Sequence, residues 1–272
     1  MPIDLEPITV NIDPVIVQMG PLALRWYSVM IVLGVGVGTW MAARLAERRG
    51  LAADDVYGAP IWIIVAGVLG ARLAHVLDQW EQYREAPLGV LAIHEGGVAI
   101  WGAVWAGGLA AWAYSRWRRL PFWAFADSLS RGAILGQAIG RIGSIITGDA
   151  AGRATTLPLA FTYAHPNAML PKYDFFDTRT HPYALYELVW DLALFGLLWL
   201  VARRARISGT VFLVYLGGYS LGRFLLSFLR GDPVWVLGLQ QGHLFALLTV
   251  VVAVYLWLLR QAQEPGAAQA RL

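Results

Sequence analysis

Seven long apolar stretches, at about 22–45, 57–79, 97–115, 121–146, 183–202, 208–229 and 242–260, dominate the chain and leave little choice of solvent. A helix crosses the hydrocarbon core of a bilayer in roughly 20 residues. Each stretch is near that length, and each is expected to be helical because only a helix satisfies its backbone polar groups within one segment. Of 272 residues, 58% are hydrophobic and 14% charged, and the 13 tryptophans suit interfacial belts. The sequence thus predicts an all-α polytopic membrane protein with seven transmembrane helices.

Charge gives the orientation. The connections after the first, third, fifth and seventh stretches carry Arg44, Arg48, Arg49, Arg116, Arg118, Arg119, Arg203, Arg204, Arg206, Arg260 and Arg271, eleven of the 21 basic residues. Basic loops stay cytoplasmic, so the N-terminus is expected outside and the C-terminus inside. The first basic residue is Arg25, so the positive n-region of a cleavable signal peptide is missing. Residues 1–20 are therefore expected to remain as an extracytoplasmic segment ahead of a membrane domain over 21–260. Within that domain, the proline-rich connection at about 147–182 exceeds ordinary loop length and is expected to form a small extracytoplasmic lobe. The Gly, Ala, Gln and Pro of 261–272 predict a disordered cytoplasmic tail.

The absence of cysteine excludes disulfides, thiolate metal sites and a thiol nucleophile in this chain. Phosphate-cradling glycine loops, Ser-His-Asp signatures and zinc motifs are also missing. His75, His94, His165 and His243 are scattered, so no metal or organic cofactor is expected, and no nucleic-acid partner.

The segment Gly136-Gln137-Ala138-Ile139-Gly140-Arg141-Ile142-Gly143-Ser144-Ile145-Ile146-Thr147-Gly148-Asp149 places an arginine in a predicted span without an acid at i±4. A charge in hydrocarbon costs about 2.5–3.5 kcal/mol on the mildest scale, and it persists where it faces a protein interior or wet cavity. Given the orientation and a rise of 1.5 Å per residue, Arg72, Arg141, Arg223 and Arg230 all fall in the outer half. Arg25 and Tyr27 begin the first helix there, and Glu187 and Asp191 lie near the outer start of the fifth. Some of these groups suit ordinary structure. Arg131 follows Asp127 by four residues, a helix ion-pair spacing. Glu187 and Asp191 have Arg72 and Arg223 as possible partners. Gly132, Gly136 and Gly140 have the spacing of close helix packing, and His181, before Pro182, suits a helix mouth, either as a cap or as a proton acceptor. Arg223, Ser227 and Arg230 recur on one helix face with two positive charges. Guanidinium forks match phosphate oxygens and stay charged, so the cluster suits an anionic lipid headgroup.

The chain resembles the bacterial prolipoprotein diacylglyceryl transferases over nearly its whole length. The resemblance rests on Ile12-Asp13-Pro14-Val15, the run from Gly20 through Arg25-Trp26-Tyr27, Gly96-Gly97-Val98-Ala99-Ile100-Trp101-Gly102, the Gly136–Asp149 signature, His181-Pro182 with Leu185-Tyr186-Glu187, and Gly218-Tyr219 through Arg223 to Arg230. It implies transfer of a diacylglyceryl group from phosphatidylglycerol to the lipobox cysteine of a prolipoprotein signal peptide, with release of glycerol phosphate, at the outer leaflet of the bacterial cytoplasmic membrane. Arg141 and Arg223 match the family's essential arginines and would hold the phosphate; Tyr27 would orient the headgroup and Glu187 would fix an arginine. Arg25, Arg72, Arg230, Gly143 and Ser144 complete the expected substrate-binding set, with membrane lipids as surroundings.

Several positions depart from the family pattern. Trp101 stands where studied members carry a histidine suggested as a base. Ser144 replaces the signature asparagine, Asp149 the following acid, and Ser227 a glutamate. Asp149 or His181 is therefore expected to accept the thiol proton, Asp149 being preferred for its place at the helix end beside Arg141. Two other readings are a non-catalytic relative that binds anionic lipid or signal peptides, and a small-anion transporter, which would need an aqueous path through both leaflets, whereas the charges here cluster in the outer one.

Overall fold

A computed structural model describes residues 6–20, 22–91, 97, 99–170, 176–232 and 234–263. His94, Gly96 and the tail from 264 lie outside the described residues. In chain order the elements are β1 (Ile8–Val10), β2 (Val15–Met19), β3 (Leu22–Arg25), α1 (Trp26–Glu47), α2 (Ala53–Tyr57), α3 (Ala59–Asp78), α4 (Trp80–Glu85), a 3-10 turn (Pro87–Leu91), α5 (Ile100–Trp117), α6 (Phe122–Thr147), β4 (Phe161–Tyr163), α7 (Tyr183–Arg204), α8 (Thr210–Ser227), β5 (Val234–Val236), β6 (Leu239–Gln240) and α9 (Gln241–Gln263).

Among the described residues, five helical stretches are long and apolar enough to cross a membrane: Trp26–Glu47, Ala53–Asp78, Tyr183–Arg204, Thr210–Ser227 and Gln241–Gln263. The protein is mostly helical and of a polytopic membrane type. The predicted stretches at 97–115 and 121–146 form α5 and α6, and α6 carries Asp127, Arg131 and Arg141 along its length, which dilutes its apolar character. Large apolar side chains such as Ile61, Trp62, Leu69 and Leu73 stand exposed along α3, as a lipid-facing helix requires.

The chain divides into two compact units, Met1–Met41 with Ser130–Leu272, and Ala42–Leu129. In the first, α1 and α6 run antiparallel at backbone contact distance. A Cβ on Gly34 would lie 2.5 Å from the Gly136 carbonyl oxygen, and one on Gly38 would lie 2.5 Å from that of Gly132. Gly143 continues the seam, its Cβ position 3.0 Å from the Tyr27 Cα. The glycine spacing therefore does pack helices, as small residues in membranes do, and in doing so it fixes the depth of Arg141 against Tyr27. Ile134, Leu194, Leu198 and Val211 form the core that joins α6, α7 and α8.

Short strands, unforeseen in an all-α reading, build the lobe of this unit. Parallel β1 and β4 pair Ile8 with Phe161 and Val10 with Tyr163, and Val10, Ala151, Phe161 and Tyr163 bury together. Chain segments 150 residues apart form this pairing, so no local pattern announces it. The antiparallel pair of β2 and β3 ends on Arg25 opposite Val15, so Arg25 closes a strand and α1 begins at Trp26 rather than before it. Asp13 accepts hydrogen bonds from the Val15 N–H (2.9 Å) and from Asn167 (3.2 Å), which hold its carboxyl below the usual carboxylate range. Pro182 is the N-cap of α7, one position before its expected place in the first turn.

In the second unit, α3 and α5 meet through Gly67, Gly70 and Gly102. Ala42, Ala43, Ala46, Val56, Tyr114 and Phe125 form its core, and Arg49 pairs with buried Asp127 at 2.8 Å.

The seam makes a prediction. Gly34→Ala should destabilise the protein by about 1–3 kcal/mol, the usual cost of overpacking, whereas Gly36→Ala, which meets nothing within 4 Å, should be near neutral. Thermal unfolding in detergent micelles compares them.

Candidate active site

Helix α6 brings Arg141 to within two turns of its C-terminal end, and α7 presents Glu187 one turn after its start. Arg141 Nη1 lies 2.8 Å from Glu187 Oε2, and Arg141 Nε lies 3.9 Å from Asp191 Oδ2. The other oxygen of the same carboxylate, Oε1, accepts from Arg223 Nη1 of α8 at 2.9 Å. One buried glutamate thus bridges two partly buried arginines carried by different helices. Arg141 is not the unpaired cation that its i±4 neighbours imply; its partners come from a helix more than forty residues away, beyond any local spacing rule.

Tyr183, which the sequence did not single out, completes the bridge. Its fully buried hydroxyl donates to Glu187 Oε1 (3.0 Å) and accepts from Arg223 Nη1 (2.8 Å). The Arg230 guanidinium sits 5.5 Å from the centre of the Tyr183 ring, a cation–π distance, and Arg230 Nε also pairs with Asp232 at 2.9 Å. Tyr219 lies within electrostatic range of both Arg141 and Arg223. The available signal for Tyr183 was its i, i+4 spacing to Glu187 on one helix face.

Two arginines against Glu187, with Asp191 close by, leave guanidinium edges for a further anion. Breaking a buried pair by removing one partner is costly because it strands the other, so Glu187 is retained for both arginines at once. Ser227 is the last residue of α8 and donates to the Arg223 carbonyl oxygen at 2.6 Å, whereas Arg230 lies beyond the helix, bridged to Gly152, so the expected helix face does not extend to Arg230.

The end of α6 carries the second half of the site. Gly148, at φ +78, turns the chain out of the helix where a Cβ would lie 3.0 Å from the Tyr163 ring. Asp149 then folds back. Its Oδ1 accepts from the Thr147 hydroxyl at 2.7 Å and its Oδ2 from the Ser144 hydroxyl at 3.4 Å. The Tyr27 hydroxyl is within electrostatic range of Asp149, Arg141 and Arg230. The fold therefore gathers Tyr27, Gly143, Ser144, Asp149, Arg141, Glu187, Arg223 and Arg230 in one unit, together with Arg25, whose Nε is buried without a hydrogen-bond partner.

His181 sits where the lobe meets α7. Its N–H donates to the Arg153 carbonyl (2.9 Å), and its carbonyl accepts from the Gly152 N–H (3.2 Å). Burial lowers its pKa below the ordinary histidine value, which favours the neutral ring, and Nδ1 is buried without a hydrogen-bond partner among the described residues. Arg72 belongs to the other unit. There its guanidinium donates to the carbonyls of Gly89, Val90 (3.0 Å) and Gly97 (2.8 Å) and stacks 5.1 Å from the Tyr83 ring. Gly97, at φ +72, has His75 and Arg72 where a Cβ would go, so glycine is required to close that cradle. Trp101 stands in the first turn of α5 in the same unit.

The family model for prolipoprotein diacylglyceryl transferase matches residues 14–259. The chain belongs to that family. Among its relatives, a phosphatidylglycerol–prolipoprotein diacylglyceryl transferase from Trichormus variabilis is 37% identical over 255 residues, covering 90% of this chain and 89% of the relative. One of the same name from Symbiobacterium thermophilum is 38% identical over 259 residues, covering 94% and 96%. A third, from Shouchella clausii, is 33% identical over 258 residues, covering 94% and 92%. The family thus extends through every element that builds the arginine bridge.

The bridge predicts an asymmetric response to neutralising its acids. Glu187→Gln strands two arginines and should cost about 3 kcal/mol of stability; Asp191→Asn, at 3.9 Å from one arginine, should cost less. Thermal unfolding of the two variants in micelles ranks them, and adding glycerol phosphate should recover part of the Glu187→Gln loss by occupying the stranded guanidiniums.

Proposed function

We propose that this protein transfers a diacylglyceryl group from phosphatidylglycerol to the lipobox cysteine of prolipoprotein signal peptides, releasing glycerol phosphate. Within its family, the observation that carries the reading is the pair of partly buried arginines, Arg141 and Arg223, held on different helices by the two oxygens of Glu187. The attacking atom is the substrate's thiolate sulfur, in keeping with a chain that has no cysteine. The C–S bond forms at the glycerol carbon of the diacylglyceryl group as its bond to the phosphate oxygen breaks, and that oxygen leaves with the electron pair. Arg141 and Arg223 bind the phosphate and stabilise the charge gathering on the leaving oxygen. Fixed donors in a water-poor site are effective because they do not reorganise during the reaction.

Asp149 accepts the thiol proton. Its carboxylate is aimed by Thr147 and Ser144 and shares the environment of Tyr27 with Arg141, whereas the backbone of His181 is tied into the junction between the lobe and α7. Tyr27 and Arg230 orient the headgroup. With a thiol pKa near 8.5, a few per cent of the cysteine is already thiolate at neutral pH, so a modest base suffices and Trp101 is compatible with turnover.

In the membrane, α5 and α6 complete seven spans, with the N-terminus outside and the C-terminus cytoplasmic. The pairing of β1 with β4 supports one side for the N-terminal segment and the lobe, and Arg141 lies six residues, about 9 Å of helix rise, from the lobe end of α6. The site therefore opens toward the outer leaflet of the bacterial cytoplasmic membrane, where lipid and signal peptide arrive laterally.

Purified protein incubated with phosphatidylglycerol and a lipobox peptide should give a diacylglyceryl mass gain on the peptide and equimolar glycerol phosphate. Arg141→Ala should lower the rate by at least 10²–10³-fold, the scale for removing one charge-stabilising donor, and a Cys→Ser peptide should not react. Lipid binding without a mass gain would favour a non-catalytic relative. For the base, Asp149→Asn should slow transfer about 10²-fold at pH 7. The deficit should narrow as pH rises through 8.5, because the thiol then ionises unaided; a rate–pH profile parallel to that of the unaltered protein would contradict the assignment.

A further inference from the structure

The start of α9 holds two polar side chains that the reaction above does not use. Gln240 is 2% exposed and His243 is 1% exposed. Gln240 is anchored by its amide nitrogen, which donates to the carbonyls of Arg230 (2.8 Å) and Asp232 (3.0 Å). Its Oε1 is buried with no hydrogen-bond partner among the described residues. His243 Nδ1 accepts from the Gln240 N–H at 3.2 Å, which places the proton of a neutral imidazole on Nε2, and Nε2 is also buried without a partner. The ring is fixed against Phe228 and Phe224, with centroids 4.2 and 5.2 Å away. Buried polar atoms are nearly always satisfied, and here a donor and an acceptor go unsatisfied three residues apart.

Their position relative to Arg223 gives this a direction. Arg223 Nη1 carries the bonds to Tyr183 and Glu187. Its Nε and Nη2 lie 3.8 and 4.0 Å from the Cβ position of Gly242, between Gln240 and His243 in sequence. The second edge of the guanidinium therefore faces the start of α9, where position 242 carries no side chain and the Ser227 hydroxyl lies 3.3 Å from the same point. His243 is itself within electrostatic range of Arg223.

We infer that His243 Nε2–H and Gln240 Oε1 form a subsite for the hydroxyls of the leaving glycerol, so that the first turn of α9 selects phosphatidylglycerol by its headgroup. The inference rests on the proposed transferase reading. One atom donates and the other accepts, and a hydroxyl does both. An ethanolamine ammonium only donates and would oppose Nε2–H; a bare phosphate only accepts and would leave Oε1 unpaired. Specificity then follows from buried groups that only the correct headgroup satisfies.

The test compares phosphatidylglycerol with an analogue whose headgroup is propanol, lacking both free hydroxyls, using full-length protein and a lipobox peptide. The unaltered protein should prefer phosphatidylglycerol by about tenfold or more in kcat/KM, the scale of one lost neutral hydrogen bond. His243→Phe, which keeps an aromatic ring against Phe224 and Phe228, should bring that ratio close to one by slowing phosphatidylglycerol alone. His243→Gln, which keeps a donor, should restore part of the preference, and it carries the test if the phenylalanine variant fails to fold. A ratio unchanged in both variants, with both lipids slowed equally, would make His243 structural and overturn the subsite; so would an unaltered protein indifferent to the hydroxyls. Absence of transfer from either lipid by the unaltered protein would instead overturn the transferase reading beneath it.

Discussion

A single carboxylate organises this protein's polar interior. Glu187 gives one oxygen to Arg141 and the other to Arg223, and without it two guanidiniums would face each other inside a membrane protein. Mutual repulsion at low dielectric is severe, so the bridge is what lets α6 and α8 bring cations together. Tyr183 shares the load by contacting both Glu187 and Arg223. Two positive charges share this one negative charge, and Asp191 adds a second acid on the Arg141 side.

The rest of the unit serves that placement. Glycines on α1 and α6 bring the two backbones together at Gly34, Gly38, Gly132 and Gly136, and the same seam carries Tyr27 to Gly143, the second residue after Arg141. The lobe, stitched by β1 and β4, covers the end of α6 where Gly148 turns Asp149 back toward the helix. Close packing and the placement of these side chains are one feature, since a helix seam loosened by a single methyl group would shift Arg141 relative to Tyr27.

Much of this was legible in the sequence, because periodicity and composition are local. Span boundaries could be read to within a few residues, since apolar runs stop where charged or turn residues begin. The family signature drew attention to Arg141, Arg223, Tyr27 and Glu187. Pairings between distant segments were not legible. Nothing near Arg141 reveals that Glu187 answers it, nothing near Val10 reveals Tyr163 as its strand partner, and Tyr183 looks like any interfacial aromatic until α8 is packed beside it. Arg72 is a further case. Its guanidinium donates to the carbonyls of Gly89, Val90 and Gly97, contacts that no charge pattern displays.

The central claim is that Arg141 and Arg223 act as one phosphate clamp because they share Glu187. Equilibrium binding of glycerol phosphate to the unaltered protein, Arg141→Gln, Arg223→Gln and the double variant tests it most directly. A clamp predicts strongly non-additive losses, each single variant weakening binding nearly as much as the pair. Losses that simply add, or a single variant that binds as tightly as the unaltered protein, would mean that the two arginines hold separate partners and that the bridge is a structural ion pair alone.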